Sequence, residues 1–443
     1  VPDAAAAADA AARAAEGAGG TERSRPGIPR PAVGHDPRPD PLPPPAADDP
    51  GAAAKRGVPV SAATRRVHEI YGPVKDQGSE FFSAFKYTPV SAVGKQPGVS
   101  RRDPSKVIRV GGTYYVWYTR RQSPAPAGFA GATDSIPVWD WDLGELWYAT
   151  SADGHAWEER GRAVARGPRG AFDDRSVLTP DILVWKGRYY LYYQVLQGPY
   201  RERSLYQIGM AHADSPDGPW RRWPEAVLRP GAPAPELAPG SDDPDAVIRF
   251  GAWDSHKLHD PYLLVRGGRI WLYYKGVPFG RHYRHDLGCQ WGVAIADRPE
   301  GPFERSPLNP VTNSGHETFL YPYREGVAAI TSLEGPEKNT VQYAADGLNF
   351  EVVGKVSAPP VAAGPYVPDA FTDTRDGEGI TWGLAHLHHG AHGTLPNSYL
   401  VRFECNLSRR VRRPGFFRTW NFRFPAAAYL PATAADPMST ADC

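Results

Sequence analysis

The chain has 443 residues, with 50 basic and 49 acidic side chains and a formal net charge of +1, which argues against nucleic acid or an anionic membrane as a partner. No apolar run approaches the length of a membrane span. A chain of this length predicts either a few ordinary domains or one large repeat architecture.

Residues 1–57 are dominated by Ala, Pro, Gly, Asp and Arg, as in DAAAAADAAARAAEG and RPDPLPPPAADDPG. This composition cannot form a core and predicts a disordered leader. The chain starts at Val1 without the charged-then-apolar pattern of a signal peptide. Because such leaders often tether exported catalytic domains, we expect a secreted or periplasmic protein, with a cytoplasmic one as the open alternative.

A short helical arm is predicted over residues 58–87. The stretch PVSAATRRVHEIYG has Pro at a helix start, apolar positions at Val60, Val67 and Ile70, and a Gly stop. This arm has no place in the repeats that follow. We therefore expect it to pack on the outside of the catalytic domain or on a second copy of the chain.

Between residues 88 and 430 one pattern recurs five times: a polar residue, an apolar strand, a Gly turn and an aromatic strand. A second hairpin with an acidic Gly turn follows the copies, as in LWYATSADGHAW. Residues 431–443 remain as a C-terminal tail. The acids that lead the copies are Asp103 in RRDPSKV, Asp181 in TPDILV, Asp260 in HDPYLL, Glu317 in HETFLY and Asp369 in VPDAFT.

Two hairpins per copy, with no helical periodicity between copies, predict an all-β fold: a five-bladed β-propeller preceded by the helical arm. The leading acids then stand where the chain enters the innermost strand of each blade. Because the innermost strands run along one central channel, we expect these carboxylates to converge at one end of it.

Several carboxylates in one funnel repel each other, so the arrangement is costly unless a cation or a substrate lies among them. A catalytic carbohydrate site is the ordinary reason for such a cluster. Glycoside hydrolysis needs one group that activates water or attacks the anomeric carbon, and another that protonates the leaving oxygen. His316 lies beside Glu317. A neighbouring carboxylate can hold an imidazole protonated, so His316 is a candidate general acid.

Five segments, in this order, resemble glycoside hydrolase family 117, the neoagarooligosaccharide-type α-1,3-(3,6-anhydro)-L-galactosidases. They are SAVGKQPGVSRRDPSKV, WDWDLGELWYATS, LTPDILVWKGRYYLYYQ, WDSHKLHDPYL and SGHETFLYPY. The likeness covers roughly residues 60–425. The DP pairs are shared with other five-bladed glycosidases, whereas SGHET together with DSHKLHDP and SAVG is much more specific.

The resemblance implies an exo-acting, inverting enzyme that removes 3,6-anhydro-L-galactose from the non-reducing end of agar-derived oligosaccharides. Asp103 would be the general base, His316 the general acid, and Asp260 and Glu317 would hold the sugar or tune the charge of those two. The resemblance also implies a homodimer that exchanges the N-terminal arm. The sugar-binding candidates are Trp141, Thr179, Gln194, Asp181 and His388.

The run HLHHGAH offers four imidazoles, His386, His388, His389 and His392. Their spacing does not match that of a known metal site, so we interpret the run as a His-rich loop that lines the funnel. We therefore assign no metal ligand and expect no required cofactor. A divalent cation held through water among the carboxylates stays open.

Two rival functions remain at this point. Another five-bladed glycosidase, acting on arabinan, xylan or another galactoside, would use Asp103, Asp181 or Asp260, and Glu317, and would not need His316. A non-catalytic sugar-binding propeller would use the same acids to bind hydroxyl groups.

Overall fold

The computed structural model describes residues 59–66, 79–122, 125–280, 289–333, 335–368, 370–371, 376–387 and 397–411. These residues contain two short helices, α1 (Ala62–Arg66) and α2 (Gly128–Gly131), and are otherwise strands and connections. The predicted all-β class is confirmed. Neither of these helices has the length or the hydropathy needed to cross a membrane.

The first unit contains five strands, β2 (Ser100–Arg102), β3 (Ile108–Val110), β4 (Thr113–Arg121), β5 (Glu145–Ser151) and β6 (Trp157–Val164). The strand order is β2, β4, β5, β6, and β3 also pairs with β4. The strand next to β4 is thus interrupted between Arg102 and Ile108. Asp103 stands in that interruption.

The second unit contains β7 (Ser176–Trp185), β8 (Arg188–Leu196), β9 (Gln207–Ala213) and β10 (Arg221–Arg222). A two-stranded ribbon, β11 (Glu236–Leu237) and β12 (Val247–Arg249), precedes the third unit. That unit contains β13 (Lys257–Arg266), β14 (Arg269–Val277), β15 (Gln290–Ala296) and β16 (Glu304–Arg305). Both units are antiparallel sheets whose strands pair in chain order.

The last two units form one eight-stranded sheet, joined by the pairing of Tyr323 with Glu378. The fourth unit contains β17 (His316–Arg324), β18 (Gly326–Leu333), β19 (Thr340–Ala344) and β20 (Glu351–Lys355). The fifth contains β21 (Gly364–Pro365), β22 (Gly377–Leu387), β23 (Tyr399–Ser408) and, from the start of the chain, β1 (Lys86–Pro89).

The predicted boundary between residues 87 and 88 therefore falls inside β1. This strand pairs with β23 from Lys86 opposite Glu404 to Pro89 opposite Val401. The cause is long-range pairing, which the local pattern of the arm does not reveal. Of the predicted arm, α1 is helical, and the leader at residues 1–57, the segment 67–78 and the tail at 431–443 lie outside the described residues.

The core lies between the sheets, because both faces of each inner strand are apolar. On β8, Tyr190 and Tyr192 pack into a cluster with residues of the third unit, whereas Leu191 and Tyr193 pack into a cluster with the first unit. This alternation of the RYYLYYQVL run is the packing that its aromatic pattern predicts. Each unit thereby presses on its neighbours and holds its own first strand in place.

Candidate active site

Four residues with left-handed backbone lie at equivalent positions in the first four units. Their φ angles are 51° at Asp103, 46° at Thr179, 49° at Asp260 and 58° at Glu317. A non-glycine residue in this region costs of order 1–3 kcal/mol and persists only where the surroundings impose it. The pairing of β7 with β8 and of β13 with β14 is irregular at these residues. All four of these residues line the pockets described below.

Thr179, and not Asp181, is therefore the second-unit counterpart of Asp103 and Asp260. The prediction that Asp181 leads the second copy is wrong. The reason is the register: in DP, TP and DP the residue before the proline takes the kinked position, and Asp181 follows the proline within the regular pairing of β7.

Two adjoining pockets, of about 400 and 390 Å³, share Asp103, Thr179, Asp260 and Glu317. The second pocket also contains Trp141, Gln194 and His316. Asp181 lines the first pocket. The structure thus brings together every predicted site residue that it describes. His388 and the fifth leading acid, Asp369, lie outside the described residues.

Asp103 is buried and held on both oxygens. The Nε of Arg102 donates to its Oδ2 at 2.9 Å, and Nδ1 of His386 lies 3.2 Å from its Oδ1. Burial alone would raise the pKa of Asp103, but the Arg102 guanidinium and the contact with His386 outweigh burial and hold this pKa below its ordinary value. Asp103 is therefore a carboxylate at neutral pH.

His386 is fully buried and touches Asp103 in two ways. The backbone N–H of Asp103 donates to Nδ1 at 3.1 Å, and the same nitrogen faces Oδ1. One ring nitrogen cannot accept and donate at once. Nδ1 without a hydrogen accepts from the Asp103 N–H, and Nδ1 with a hydrogen donates to the Asp103 carboxylate. In either tautomer His386 contacts Asp103, whose backbone is left-handed.

Glu317 and His316 form the second pair of the site. His316 Nε2 lies 3.3 Å from Oε1 of Glu317, and both side chains are about nine-tenths buried. Burial would raise the pKa of Glu317, but the hydrogen bond and charge of His316, assisted by His386 and Lys275, hold this pKa well below its ordinary value. Glu317 is thus ionised and favours a protonated imidazole beside it.

Asp260 pairs with Lys275, whose Nζ lies 2.8 Å from Oδ2. Burial raises the pKa of Asp260 above its ordinary value; Lys275 opposes this rise, and the nearby charges of Glu317 and Asp103 add to it. Of Asp103, Asp260 and Glu317, Asp260 is thus the one whose pKa lies above its ordinary value.

The repulsion expected among these acids is met by the protein's own cations. Arg102 faces Asp103, Lys275 faces Asp260 and His316 faces Glu317. Opposite charges at these distances stabilise the ionised carboxylates strongly when water is excluded. Basic side chains of the protein thus offset part of the repulsion among these acids.

The oxygens of Asp103 and Glu317 and a nitrogen of His386 nevertheless lie within 4.8 Å of one another. These are donor atoms that a divalent cation can accept. No metal geometry is implied by this spacing alone.

The predicted sugar-binding side chains form the wall next to the acids. Thr179 Oγ1 donates to Oε1 of Gln194 at 3.1 Å, and the Thr179 N–H donates to Oγ1 of Thr119 at 2.8 Å. Trp141 is only 8% exposed, and its ring centroid lies 6.0 Å from that of Tyr206. Hydroxyl, amide and indole groups of this kind recognise sugar hydroxyls and pyranose faces.

Asp181 has a different environment. Its Oδ2 accepts from the Leu263 N–H at 2.7 Å, its Oδ1 accepts from the Lys106 N–H at 3.2 Å, and it forms a buried ion pair with Lys106 Nζ. Burial raises the pKa of Asp181 and lowers that of Lys106, while each charge opposes the effect on the other. Asp181 therefore links the first, second and third units.

Sequence reasoning missed several residues that line the second pocket or hold its acids. Arg102 directly precedes Asp103 in the sequence, and Lys275 lies in the strand opposite His259. Neither residue belongs to a local sequence motif that would mark it as part of the site. His386 was noticed only as part of a His-rich run. The missed residues are Arg102, Tyr206, Lys257, His259 and Lys275 in the pocket and His386 behind Asp103.

Comparison with known proteins places these residues in context. No family model and no curated protein matches the chain. Among solved structures, a family 117 glycoside hydrolase produced by the marine bacterium Zobellia galactanivorans is 43% identical, with a TM-score of 0.67; the match covers 79% of this chain and 98% of that one. A GH43_1 enzyme from Xanthomonas citri is 16% identical, covering 71% of this chain and 90% of that one, with a TM-score of 0.43 that is too low to support an inference.

Proposed function

The chain is a glycoside hydrolase that belongs to family 117, and on that premise we propose that it is an exo-acting, inverting α-1,3-(3,6-anhydro)-L-galactosidase. It would release 3,6-anhydro-L-galactose from the non-reducing end of neoagarooligosaccharides in agar degradation. The observation that carries this proposal is the presence, in one pocket, of an ionised Asp103 and a buried His316–Glu317 pair.

Asp103 acts as the general base. Inverting hydrolysis needs a carboxylate that takes a proton from water while the water oxygen attacks the anomeric carbon from the face opposite the leaving group. The contacts with Arg102 and His386 keep Asp103 ionised and fixed in orientation. A carboxylate in this state is ready to accept that proton.

His316 acts as the general acid. As the glycosidic bond breaks, its proton passes to the leaving oxygen, and the ring becomes neutral. Glu317 is a poorer candidate because its pKa is held well below the ordinary range, so that it carries no proton to donate near neutral pH. It serves instead to stabilise the imidazolium before transfer, as a carboxylate beside a histidine does.

Asp260, Glu317 and the wall residues orient the terminal sugar. Asp260 lies at the shared edge of both pockets and is held by Lys275. Trp141, Thr179 and Gln194 line the same pocket and would bind the ring face and the hydroxyl groups. Asp181 lines the first pocket and helps to hold its wall through Lys106 and Leu263, and His388, outside the described residues, stays a predicted sugar-binding residue.

We also propose that the five units close into a five-bladed propeller. Support comes from contacts between each unit and the next: Thr179 with Thr119, Leu263 with Asp181, Tyr273 with Gly347, and Tyr323 with Glu378. The backbone N–H of Arg101 donates to the Ser398 carbonyl at 2.8 Å, which joins the first unit to the fifth. A cyclic order of this kind leaves no long sheet edge unpaired.

The proposed homodimer uses the N-terminal arm. In one chain, Ser61 Oγ donates to the Pro310 carbonyl and the Ala62 N–H donates to Asn349, and an arm exchanged between two copies would make the same contacts.

No cofactor is required by the acid–base chemistry. A cation held through water near Asp103, Glu317 and His386 would show itself as activity lost on chelation. We place the enzyme outside the cytoplasm, secreted or periplasmic, which fractionation of the producing cells tests.

The proposal is tested by the rates of Asp103→Asn and His316→Gln on neoagarobiose. Each substitution removes a proton-transfer group, so we expect kcat to fall by about a hundredfold or more, with the melting temperature retained. His155→Gln, in an exposed turn of the first unit, serves as the control and keeps full activity. A His316→Gln enzyme as active as the wild type would remove the histidine acid and favour an arabinan- or xylan-type mechanism by carboxylates alone.

A further inference from the structure

The rings next to the catalytic pocket belong to two loops at the same end of the sheets. One loop, residues 125–144, follows β4, in which Thr119 near the strand end pairs with Arg102. The other, residues 197–206, leaves β8 just after Gln194, which pairs with Leu178. Both loops therefore rise directly beside Asp103 and Thr179, on the rim of the pocket.

Aromatic rings form a continuous wall across these loops. The centroid of Trp141, inside the pocket, lies 6.1 Å from that of Tyr200, and Tyr200 lies 5.8 Å from Phe129 with the two ring planes 23° apart. Trp139 meets Phe129 edge to face at 5.4 Å. The Tyr200 and Tyr206 hydroxyls are 3.2 Å apart. These contacts hold the wall in one orientation.

Exposure increases along the wall from the pocket to the surface. Trp141 is 8% exposed, whereas Phe129 is 43% exposed. Only four large apolar side chains of the described residues are exposed to this degree, and Phe129 is the single aromatic one among them. An aromatic ring that is both fixed by neighbours and open to water is a ready surface for a ligand with an apolar face.

The wall also leads to open space. Arg175 lies over the Tyr200 ring at 5.4 Å. Arg175 lines an open depression of about 1180 Å³ together with Gly198 and Pro199, which directly precede Tyr200. The chain segment that leads into Tyr200 therefore borders this depression.

We propose that Tyr200, Trp139 and Phe129 form a binding surface for the hexopyranose units on the leaving-group side of the cleaved bond. This inference rests on the proposed exo-hydrolysis: the terminal sugar fills the pocket, so the rest of the oligosaccharide leaves along the outward wall. The C–H face of a pyranose packs on an aromatic face. Because Phe129 stacks on Tyr200 and Arg175 lies over it, Tyr200 meets the first unit beyond the bond through its ring edge and hydroxyl, and the exposed Phe129 ring meets the units that follow.

A dependence on chain length follows. A disaccharide substrate ends beside Tyr200 and does not reach Phe129, whereas a tetrasaccharide does. Phe129 should thus lower KM for the longer substrate alone. Phe129 lines neither of the two pockets that contain the acids, so kcat should stay unchanged.

The experiment compares KM and kcat of Phe129→Ala, Phe129→Leu and Phe129→Tyr on neoagarobiose and on the corresponding tetrasaccharide. We expect KM for the tetrasaccharide to rise about fivefold to tenfold in Phe129→Ala and Phe129→Leu, which lack the ring. Phe129→Tyr, which keeps it, should match the wild type. Ile248→Ala, which removes an even more exposed apolar side chain from β12, is the control and should leave KM and kcat unchanged for both substrates.

The outcomes separate this inference from the proposed function. If the wild type hydrolyses both substrates and Phe129→Ala raises KM for neither or for both alike, the surface is refuted while the function stands. If the wild type hydrolyses neither neoagarobiose nor the tetrasaccharide, the proposed function fails. Calorimetric titration with the same tetrasaccharide then tests the binding surface alone. Tetrasaccharide binding that is weakened in Phe129→Ala and retained in Phe129→Tyr supports the surface. Binding that is equally strong in Phe129→Ala and the wild type, or that the wild type lacks, refutes it.

Discussion

Asp103 shows how one residue of this site is prepared for chemistry. Its backbone is left-handed, its two oxygens face Arg102 and His386, and its pKa lies below the ordinary value although burial alone would raise it. The same design recurs at Glu317 with His316. Asp260 with Lys275 follows the same pattern, so each acid of the cluster faces a basic side chain that favours its ionised form.

Arg102→Gln tests this arrangement through the pH dependence of kcat/KM. Because the folded pKa of Asp103 is depressed, its contribution to stability is present above the unfolded pKa and is lost as the pH falls through the folded one. Removing Arg102 raises the folded pKa. The acid limb of kcat/KM should therefore move to higher pH, and the melting temperature should fall.

Arg101→Gln is the matched control, because Arg101 is equally buried but pairs with Glu159 at 2.8 Å instead of with a pocket acid. This substitution should lower stability and leave the acid limb in place. An acid limb that is identical in Arg102→Gln and in the wild type would show that Arg102 does not set the charge of Asp103.

At the residue scale, the sequence identifies the acids but not their partners. A carboxylate before proline at the start of a strand was enough to find Asp103 and Asp260. Lys275 is brought to Asp260 by an irregular pairing between His259 and Tyr262, and no local pattern predicts where a strand will be irregular. The same irregularity moved the second-unit position from Asp181 to Thr179.

At the scale of elements, helix α1 bears on the segment that leads into His316. Arg66 donates from Nε to Oε1 of Glu337 at 3.0 Å, and Asn313 donates to the same oxygen at 3.0 Å. The Glu337 N–H also donates to Ser314 Oγ at 2.8 Å. Glu337 is therefore the link between the arm and the residues immediately before His316.

Arg66→Ala leaves the buried Glu337 carboxylate without its cation. Loss of one partner of a buried pair costs roughly 3–5 kcal/mol, and the segment before His316 loses a support. We expect a lower melting temperature and a lower kcat, together with a shift from dimer to monomer in light scattering.

Arg65→Ala is the control on the same helix, since Arg65 is exposed and donates to the Val60 carbonyl. The double variant Arg66→Ala/Glu337→Gln removes the orphaned charge and should recover part of the stability. Wild-type stability and kcat in Arg66→Ala would contradict a supporting role for the arm.

The element scale also shows the limit of local patterns. The helix start at Pro59 was visible, and the helix does begin soon after it, at Ala62. The strand Lys86–Pro89 was not, because it exists only through its pairing with β23, more than three hundred residues away in the chain. Long-range pairing of this kind has no local signal.

For the whole molecule, the repeats predicted an all-β chain and the quoted segments predicted family 117, and both predictions are confirmed. The number of blades and the closure of the ring remain predictions. The buried Asp181–Lys106 pair joins three units, and such a pair contributes more to a defined arrangement than to net stability. A charged residue at a repeat start is therefore an ambiguous signal, since Asp103 lies in the shared pocket lining with a left-handed backbone whereas Asp181 joins units through Lys106 and Leu263.

The most direct test of the account is an NMR time course of neoagarobiose hydrolysis that identifies the first anomer of the released sugar. The proposed inverting mechanism predicts release of 3,6-anhydro-L-galactose as the β anomer, inverted from the α-linked substrate, before mutarotation mixes the two forms. First release of the α anomer, or release of arabinose alone from a panel of galactose- and arabinose-capped oligosaccharides, would contradict it.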